Sequence, residues 1–321
     1  MNGGKSMQDL GFNTYLIDLY DLSFPERTGC YVILDEDITI IETSATPSHE
    51  HLLQGLKELK ISLDKIKNVI VTHIHLDHSG GAGLLMEKCP NATLYVHPKG
   101  ARHLEDPTKL IASAKQVYGE DFDRLFNPIL PINSSQIYQV ADGEELVIGN
   151  NRKLTFLYTP GHANHHISIF DSISKFIYTG DTLGIYYQQL QQEIGPYILP
   201  STSPNQFSYE ATLNSSRKIQ EYKPEAICFG HYGLTRDTNF VYESLKSYLD
   251  RFLSLTESTI KENKDKPFYE KSRILSESLF NEIKKDLKSK NIDDSHLVFQ
   301  IIKLDLEVSA MGLILAMDRN E

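Results

Sequence analysis

Four side chains of metal-binding type lie close together in the sequence, in the segment THIHLDHSGG at residues 72–81. The apolar segment NVIV precedes it and has the composition of a buried strand. Alternate residues of an extended chain point to the same side, so His73 and His75 can bind one ion. Asp77 and His78, in the turn that follows, can face a second ion. The spacing therefore predicts a site for two metal ions.

The ligand types indicate which metals the site would bind. Imidazole and carboxylate groups suit divalent Zn, Fe, Mn or Co. The three cysteines, Cys30, Cys89 and Cys228, lie far apart and form no CxxC pair, so neither a disulfide framework nor a zinc ribbon is expected. We expect two divalent ions per chain, and the ligand types leave the choice among these metals open.

Three further ligand candidates follow apolar segments: His162 in TPGH, Asp181 in TGDT and His231 in FGHYG. An isolated His or Asp in a loop is usually a cap or a turn residue. Together with the HxHxDH segment, however, these three residues favour a shared metal site, because loops at the ends of strands commonly carry functional residues.

The elements that must position these residues alternate between strand and helix. Residues 14–41 consist of short apolar segments separated by turn residues, which predicts an antiparallel meander. A helix (HEHLLQGLKEL), a buried strand (KNVIVTH), a helix (AGLLMEKC), a strand (TLYVHP) and a helix over 107–127 follow. Three strands then lead to the loops of His162 and Asp181. A helix over 205–222 and the strand of EAICFGHYG complete the pattern.

The last part of the chain differs in character. From residue 239 it contains few Gly and Pro and mostly helical periodicity, so we expect a main domain over 1–238 and a helical extension over 239–321. The segment LVFQIIKLDLEVSAMGLILAM is apolar on much of its circumference, which indicates a helix buried against the main domain or a partner subunit. Charged residues interrupt it too often for a membrane span.

Charge and the start of the chain limit the partners. The formal net charge is −11 and no run of five or six Lys or Arg is present, so binding to nucleic acid is not expected. The first residues, MNGGKSMQDLGFNTY, contain no apolar stretch long enough for a signal peptide. We expect a cytoplasmic protein without membrane contact.

The ordered set HxHxDH, His, Asp, His over about residues 10–235 resembles the metallo-β-lactamase superfamily. The resemblance implies an α/β (α+β) fold, a four-layer αββα sandwich, here with a C-terminal helical extension. It implies that Asp181 bridges two ions, and it divides the other ligands into one set for each ion: His73, His75 and His162 for the first, and Asp77, His78 and His231 for the second.

The resemblance also implies a reaction. Two ions that share a water molecule lower its pKa from about 15.7 toward 7 and so make hydroxide available at neutral pH. This hydroxide would attack an acyl carbonyl, and Asp77 would carry a proton to the leaving group. We expect a dinuclear metal-dependent hydrolase that acts on a small-molecule ester, lactone or thioester.

The branch of the superfamily is narrowed by departures from known patterns. Flavodiiron relatives usually carry Glu at the position of His75, which favours a hydrolase over a redox protein. RNA-processing relatives have basic surfaces, which the net charge of −11 disfavours here. The β-lactamases proper typically have signal peptides, and none is expected in this chain. Glyoxalase II-like thioesterases and acyl-homoserine lactonases remain, although TPGHANHH departs from the TPGHTxG of the thioesterases and no basic residues for glutathione are evident.

Substrate contacts are predicted in the segment 184–204, where Pro residues alternate with aromatic residues as in a binding loop or lid. A simple connector is the alternative. Tyr186 and Tyr187 resemble the tyrosine with which lactonases bind the substrate carbonyl, but they are also good strand residues. His165 and His166 flank the His162 loop, and only one of two adjacent residues in a strand can face the site. The remaining histidines are assigned to structural positions (His97, His103) or to the surface (His49, His51, His296).

Two other functions stay open. The first is a di-iron oxygen-binding or redox protein on the same fold. The second is a metal-stabilised binding protein without turnover, in which the ions only connect loops. A homodimer through the C-terminal helices would explain the apolar last helix as well as burial within the chain does.

Overall fold

The computed structural model describes residues 7–204 and 206–319. These residues form two compact units. The first unit comprises the described residues up to Tyr158 together with His165–Gly180 and Tyr222–Arg236. The second comprises Thr159–Asn164, Asp181–Glu221 and the described residues from Asp237 onward. The domain boundary predicted after residue 238 stays a prediction. The expected lack of a signal peptide is based partly on the first six residues, which lie outside the described part of the chain.

The first unit contains a seven-stranded sheet whose strands follow the order of the chain. Strands β1 to β4 are antiparallel, and β4 to β7 are parallel. The predicted meander is confirmed, with one additional strand at its start. The strands are β1 Met7–Gly11, β2 Thr14–Asp18, β3 Gly29–Ile33, β4 Ile38–Ile41, β5 Ile66–Ile70, β6 Thr93–Val96 and β7 Ile137–Gln139.

A second sheet of six strands, in the order β15-β14-β11-β10-β9-β8, also belongs to the first unit. Its neighbouring strands are antiparallel except for the parallel pair β11 and β14. All the strands predicted here are present. They are β8 Glu145–Gly149, β9 Arg152–Tyr158, β10 Ile167–Asp171, β11 Phe176–Tyr178, β14 Ala226–Cys228 and β15 Leu234–Thr235.

The two sheets share one buried apolar cluster. Tyr31 of the first sheet and Tyr178 of the second pack edge to face with ring centroids 5.0 Å apart. Leu16 and Phe156 belong to the same cluster and are fully buried. Because β-branched, aliphatic and aromatic side chains alternate toward this cluster, the strand periodicity of the sequence is explained by burial between the sheets.

Helices cover the other face of the first sheet. Leu52 and Leu85 lie on helices and pack with Val69 and Leu94 of the sheet in a second buried cluster. The helix predicted over 107–127 is interrupted at Gly119, whose φ of +55° ends one helix before the next begins. The helices are α1 His49–Glu58, α2 Leu76–Ser79, α3 Ala82–Lys88, α4 Pro98–Glu105, α5 Thr108–Tyr118 and α6 Phe122–Phe126.

The second unit is mainly helical. Strands β12 Ile185–Tyr186 and β13 Ile198–Leu199 form a small antiparallel sheet. The last helix packs on the two long helices before it and buries apolar side chains such as Ile302 and Leu313. None of the helices in the described residues has the length and apolar character needed to cross a membrane. The helices are α7 Gln191–Ile194, α8 Tyr209–Glu221, α9 Thr238–Glu262, α10 Phe268–Ser289 and α11 Val298–Asp318.

A buried ion pair joins β9 and β10 of the second sheet, and its arginine also bonds to the first sheet. Arg152 of β9 donates from Nε to both carboxylate oxygens of Asp171 at 3.1 Å, and both side chains are almost completely buried. The same guanidinium donates to Thr14 Oγ1 at 3.0 Å and to the carbonyl of Phe12 at 2.7 Å. The turn between β1 and β2 is thereby tied to β9 and β10.

We predict that Asp171→Ala destabilises the protein by about 3–5 kcal/mol, because it removes the nearer carboxylate from the buried Arg152 guanidinium and leaves only that of Asp35, 3.8 Å from Nη1. The free energy of unfolding in urea is the measurement. Lys153→Ala is the matched control, since it removes only an exposed ion pair with Glu145 and should cost less than about 1 kcal/mol. Equal losses in the two variants would contradict the structural role of the buried pair.

Candidate metal centre

The HxHxDH segment follows β5 and turns into the short helix α2. His75 is the residue before this helix, and its carbonyl accepts from the backbone N of His78 at 3.0 Å. The turn brings the imidazoles together: the ring centroid of His73 lies 4.6 Å from that of His75 and 4.1 Å from that of His78. The local sequence therefore concentrates three imidazoles and the Asp77 carboxylate within the first unit.

Asp77, His78 and His231 form a compact group of donors in the first unit. Oδ2 of Asp77 lies 3.7 Å from Nε2 of His78 and 3.6 Å from Nε2 of His231. One ligand atom from each of the three residues lies within 4.8 Å of the other two, so the group could hold a metal ion. Both imidazoles are buried, whereas the Asp77 side chain is 26% exposed. The arrangement suits an ion that is reached from the solvent beside Asp77.

Glu42 orients one of these imidazoles and was not identified from the sequence. Its Oε2 lies 3.2 Å from His78 Nδ1, and its Oε1 accepts from the backbone N of Thr72 at 3.1 Å. A proton held on Nδ1 by this carboxylate leaves the lone pair of Nε2 available for a metal, as in many metal sites. The signal in the sequence is an acidic residue directly after the apolar strand ITII.

His162 and Asp181 lie close together in the second unit, with His162 Nε2 3.7 Å from Asp181 Oδ2. Ser201 contacts both side chains. Its carbonyl oxygen lies 3.0 Å from His162 Nδ1, and its hydroxyl donates to Asp181 Oδ2 at 3.0 Å. The imidazole can therefore keep its proton on Nδ1 and present Nε2 to a metal. Ser201 was predicted only as part of the 184–204 segment.

Glycines directly precede three of the ligand candidates, in the pairs Gly161–His162, Gly180–Asp181 and Gly230–His231. A Cβ added at Gly161 or Gly180 would lie 2.4 Å from a neighbouring threonine Oγ1, and one at Gly230 would lie 2.6 Å from Cε1 of His78. Larger residues would push the ligand loops away from these neighbours. A glycine directly before a ligand candidate is therefore a further sign of the site in the sequence, beyond the types and spacing of the ligands themselves.

Of the other histidines, three lie where the sequence did not predict. His165 and His166 both approach His73, with ring centroids 6.2 and 4.9 Å away, because they occupy the turn before β10 rather than the strand. That only one of them faces the site stays a prediction. His49 is buried at the start of α1, so its assignment to the surface is wrong. His97 caps α4, and burial lowers its pKa to about 4.

The two tyrosines predicted to bind substrate lie in the second unit and make hydrogen bonds there. The Tyr187 hydroxyl donates to Oδ2 of Asp305 at 2.9 Å, and the Tyr186 hydroxyl donates to Oε1 of Gln191. Both side chains are buried. Their role in catalysis stays a prediction, because these contacts orient the phenols without excluding a further partner.

The loop between β2 and β3 adds buried charge to the first unit. Burial raises the pKa of the Asp21 carboxyl to about 6, against the effect of Arg27, whose Nε lies 3.5 Å from Asp21 Oδ2. The negative charge of Asp77 acts in the same direction as burial. Asp21 therefore lies in the electrostatic environment of the donor group.

A family model for the metallo-β-lactamase superfamily matches residues 25–231. The metallo-β-lactamase fold-containing protein ST1585 of Sulfurisphaera tokodaii is 28% identical over 233 residues, which cover 72% of this chain and 82% of that protein. Its crystal structure has a TM-score of 0.65 at 23% identity and covers 94% of this chain and 98% of that chain.

Two enzymes are similar over shorter segments. The hydroxyacylglutathione hydrolase of Legionella pneumophila is 26% identical over 118 residues, 37% of this chain and 34% of that protein. The anaerobic nitric oxide reductase flavorubredoxin of Vibrio vulnificus is 23% identical over 169 residues, 52% of this chain and 30% of that protein. The chain thus spans about a third of the length of each.

The predicted fold class is confirmed by the two β-sheets, the flanking helices and the structural match to ST1585. The family model covers more than half of the chain and includes the whole set of ligand candidates from His73 to His231. This chain belongs to the metallo-β-lactamase superfamily.

Proposed function

We propose that the protein is a hydrolase that binds two divalent metal ions and cleaves an ester, lactone or thioester. The observation that carries the proposal is the donor group of Asp77, His78 and His231, with Nδ1 of His78 facing a buried carboxylate. An imidazole held in this way is ready to bind a metal through Nε2. Family membership supports the same conclusion, since members of this superfamily are commonly metal-dependent hydrolases.

The proposed ligand set extends this group with the other residues in the family order. Asp181 would bridge the ions. The remaining ligands would be His73, His75 and His162 for one ion and Asp77, His78 and His231 for the other. The set contains imidazole and carboxylate donors without thiolate, which suits zinc, iron or manganese, and we propose zinc.

The chemistry divides between the ions and the chain. When bound, a pair of divalent ions lowers the pKa of water from about 15.7 toward 7 and polarises an acyl carbonyl. Asp77 is the carboxylate with access to solvent, and its Oδ2 faces two imidazoles. Its other oxygen can therefore hold a proton and deliver it to the leaving group. Glu42 and Ser201 keep His78 and His162 in one orientation during turnover.

The substrate class rests on the small acyl compounds that related hydrolases cleave. The segment similar to hydroxyacylglutathione hydrolase covers 37% of this chain and favours an acyl substrate. The similarity to flavorubredoxin favours the redox alternative. His75 favours the hydrolase, because flavodiiron proteins usually carry Glu at that position. A cytoplasmic location, a homodimer and the lack of nucleic-acid binding stay predictions.

We predict that the purified protein contains two divalent ions per chain and that a chelator abolishes its hydrolysis of one acyl class. Elemental analysis gives the metal content, and a screen of lactones, thioesters, esters and phosphodiesters with and without chelator gives the activity. Re-addition of zinc should restore turnover. Fewer than one ion per chain would refute the metal centre, whereas two irons, a reversible absorbance change on reduction and no hydrolysis would support the redox function.

Asp77→Asn should lower kcat by about 10²- to 10³-fold, because the amide cannot carry a proton to the leaving group. The steady-state rate on the best acyl substrate, with the metal content measured in parallel, is the test. Asp64→Asn is the control, since Asp64 is an exposed residue before β5. Retention of full activity by Asp77→Asn would exclude the residue from proton transfer.

Tyr187→Phe should lower kcat by about 10- to 100-fold if the phenol binds the substrate carbonyl, with little change in metal content. Tyr186→Phe is the paired variant, because it removes the same group one residue away. Loss of activity in one variant alone would identify the residue that contacts substrate. Full activity in both would assign the two tyrosines to packing and to their bonds with Asp305 and Gln191.

A further inference from the structure

Residues 201–203 contact both ligand candidates of the second unit. Ser201 faces Nδ1 of His162 with its carbonyl and donates its hydroxyl to Asp181 Oδ2, each at 3.0 Å. Ser203 adds a hydrogen bond from its hydroxyl to the carbonyl oxygen of His162. Residues 201–203 thus restrain the imidazole ring of His162, the backbone carbonyl of His162 and the carboxylate of Asp181.

Helix α11 contacts the backbone of this segment directly. The Thr202 hydroxyl donates to the carbonyl of Ser309 at 2.8 Å. The backbone of α11 comes very close to the segment at Gly312. A Cβ added there would lie 2.1 Å from the carbonyl oxygen of Thr202 and 2.7 Å from the carbonyl carbon of Ser203. Because these neighbours are backbone atoms, a larger side chain at 312 would have to move either the helix or the segment.

We propose that Ser201 is a positioning residue for the metal centre and that α11, through Gly312, fixes its place. The inference rests on the proposed metal centre. To bind metal ions, His162 must present Nε2 and Asp181 must keep one orientation. Hydrogen bonds from residues outside the ligand set supply both restraints. The C-terminal helix is then part of the apparatus that orients the ligands, in addition to being part of the fold.

The first test compares the affinity for Zn²⁺ of the wild type, Ser201→Ala and Ser201→Thr by competition with a chromophoric chelator. Loss of the hydroxyl should weaken binding about 10-fold, as for other residues that orient metal ligands. Threonine keeps a hydroxyl and should restore the affinity to within about 3-fold of the wild type. Ser258→Ala is the matched control, because the exposed Ser258 hydroxyl donates only to a carbonyl of its own helix.

Gly312→Ala should also weaken Zn²⁺ binding by at least about 10-fold, because it displaces the 201–203 backbone. Lys303→Ala, on the exposed side of α11, is its control. Thermal unfolding of the metal-free variants shows whether they fold. A cooperative transition together with weak Zn²⁺ binding indicates a displaced 201–203 segment, whereas the lack of a transition indicates a failure to fold. If Gly312→Ala does not fold, the Ser201 variants still test the positioning role of Ser201, and Thr202→Val, which removes the hydroxyl bonded to Ser309, tests the contact with α11.

The outcomes separate this inference from the metal centre itself. A wild-type protein that binds two Zn²⁺ ions while Ser201→Ala binds them equally tightly would overturn the positioning role alone. A wild-type protein that binds no Zn²⁺ would overturn the metal centre and this inference with it. Weaker binding by Ser201→Ala, with rescue by Ser201→Thr and no change in Ser258→Ala, is the result that supports the proposal.

Discussion

The arrangement of the candidate site depends on hydrogen bonds that hold imidazole rings by Nδ1. His78 faces the carboxylate of Glu42, and His162 faces the carbonyl of Ser201. A buried imidazole without such a partner could turn or change its tautomer, and its Nε2 would then not meet a metal in one fixed direction. The acceptors must themselves be rigid, so much of the surrounding structure acts to hold Glu42 and Ser201 in place.

Glu42 is held by the sheet of the first unit. It directly follows β4, and its second oxygen accepts from the backbone N of Thr72, which lies two residues after the end of the neighbouring parallel strand β5. The apolar cluster between the two sheets, which includes the packed rings of Tyr31 and Tyr178, fixes these strands. Packing and chemistry are therefore connected, because the core fixes the strands and the strands fix the carboxylate.

Ser201 is held in a different way, by a helix far along the chain. Thr202 bonds to Ser309 across 107 positions of sequence, and Gly312 lets α11 approach the backbone of the segment. The helices after residue 238 are present in addition to the segment matched by the family model, which ends at residue 231. In this chain the last of these helices, α11, thus contacts a segment that orients ligand candidates.

The sequence alone determined the chemical types and the order of the ligand candidates, the meander, most of the strands and the helical character of the last part. These features are local, because ligand spacing and periodicity are set within a few residues. The roles of Glu42, Ser201 and Gly312, the burial of His49 and the approach of both His165 and His166 to His73 were decided by the tertiary structure. Glu42 meets His78 across 36 positions of sequence, and no local pattern records such a contact, because it forms only when folding brings distant strand ends and helices together.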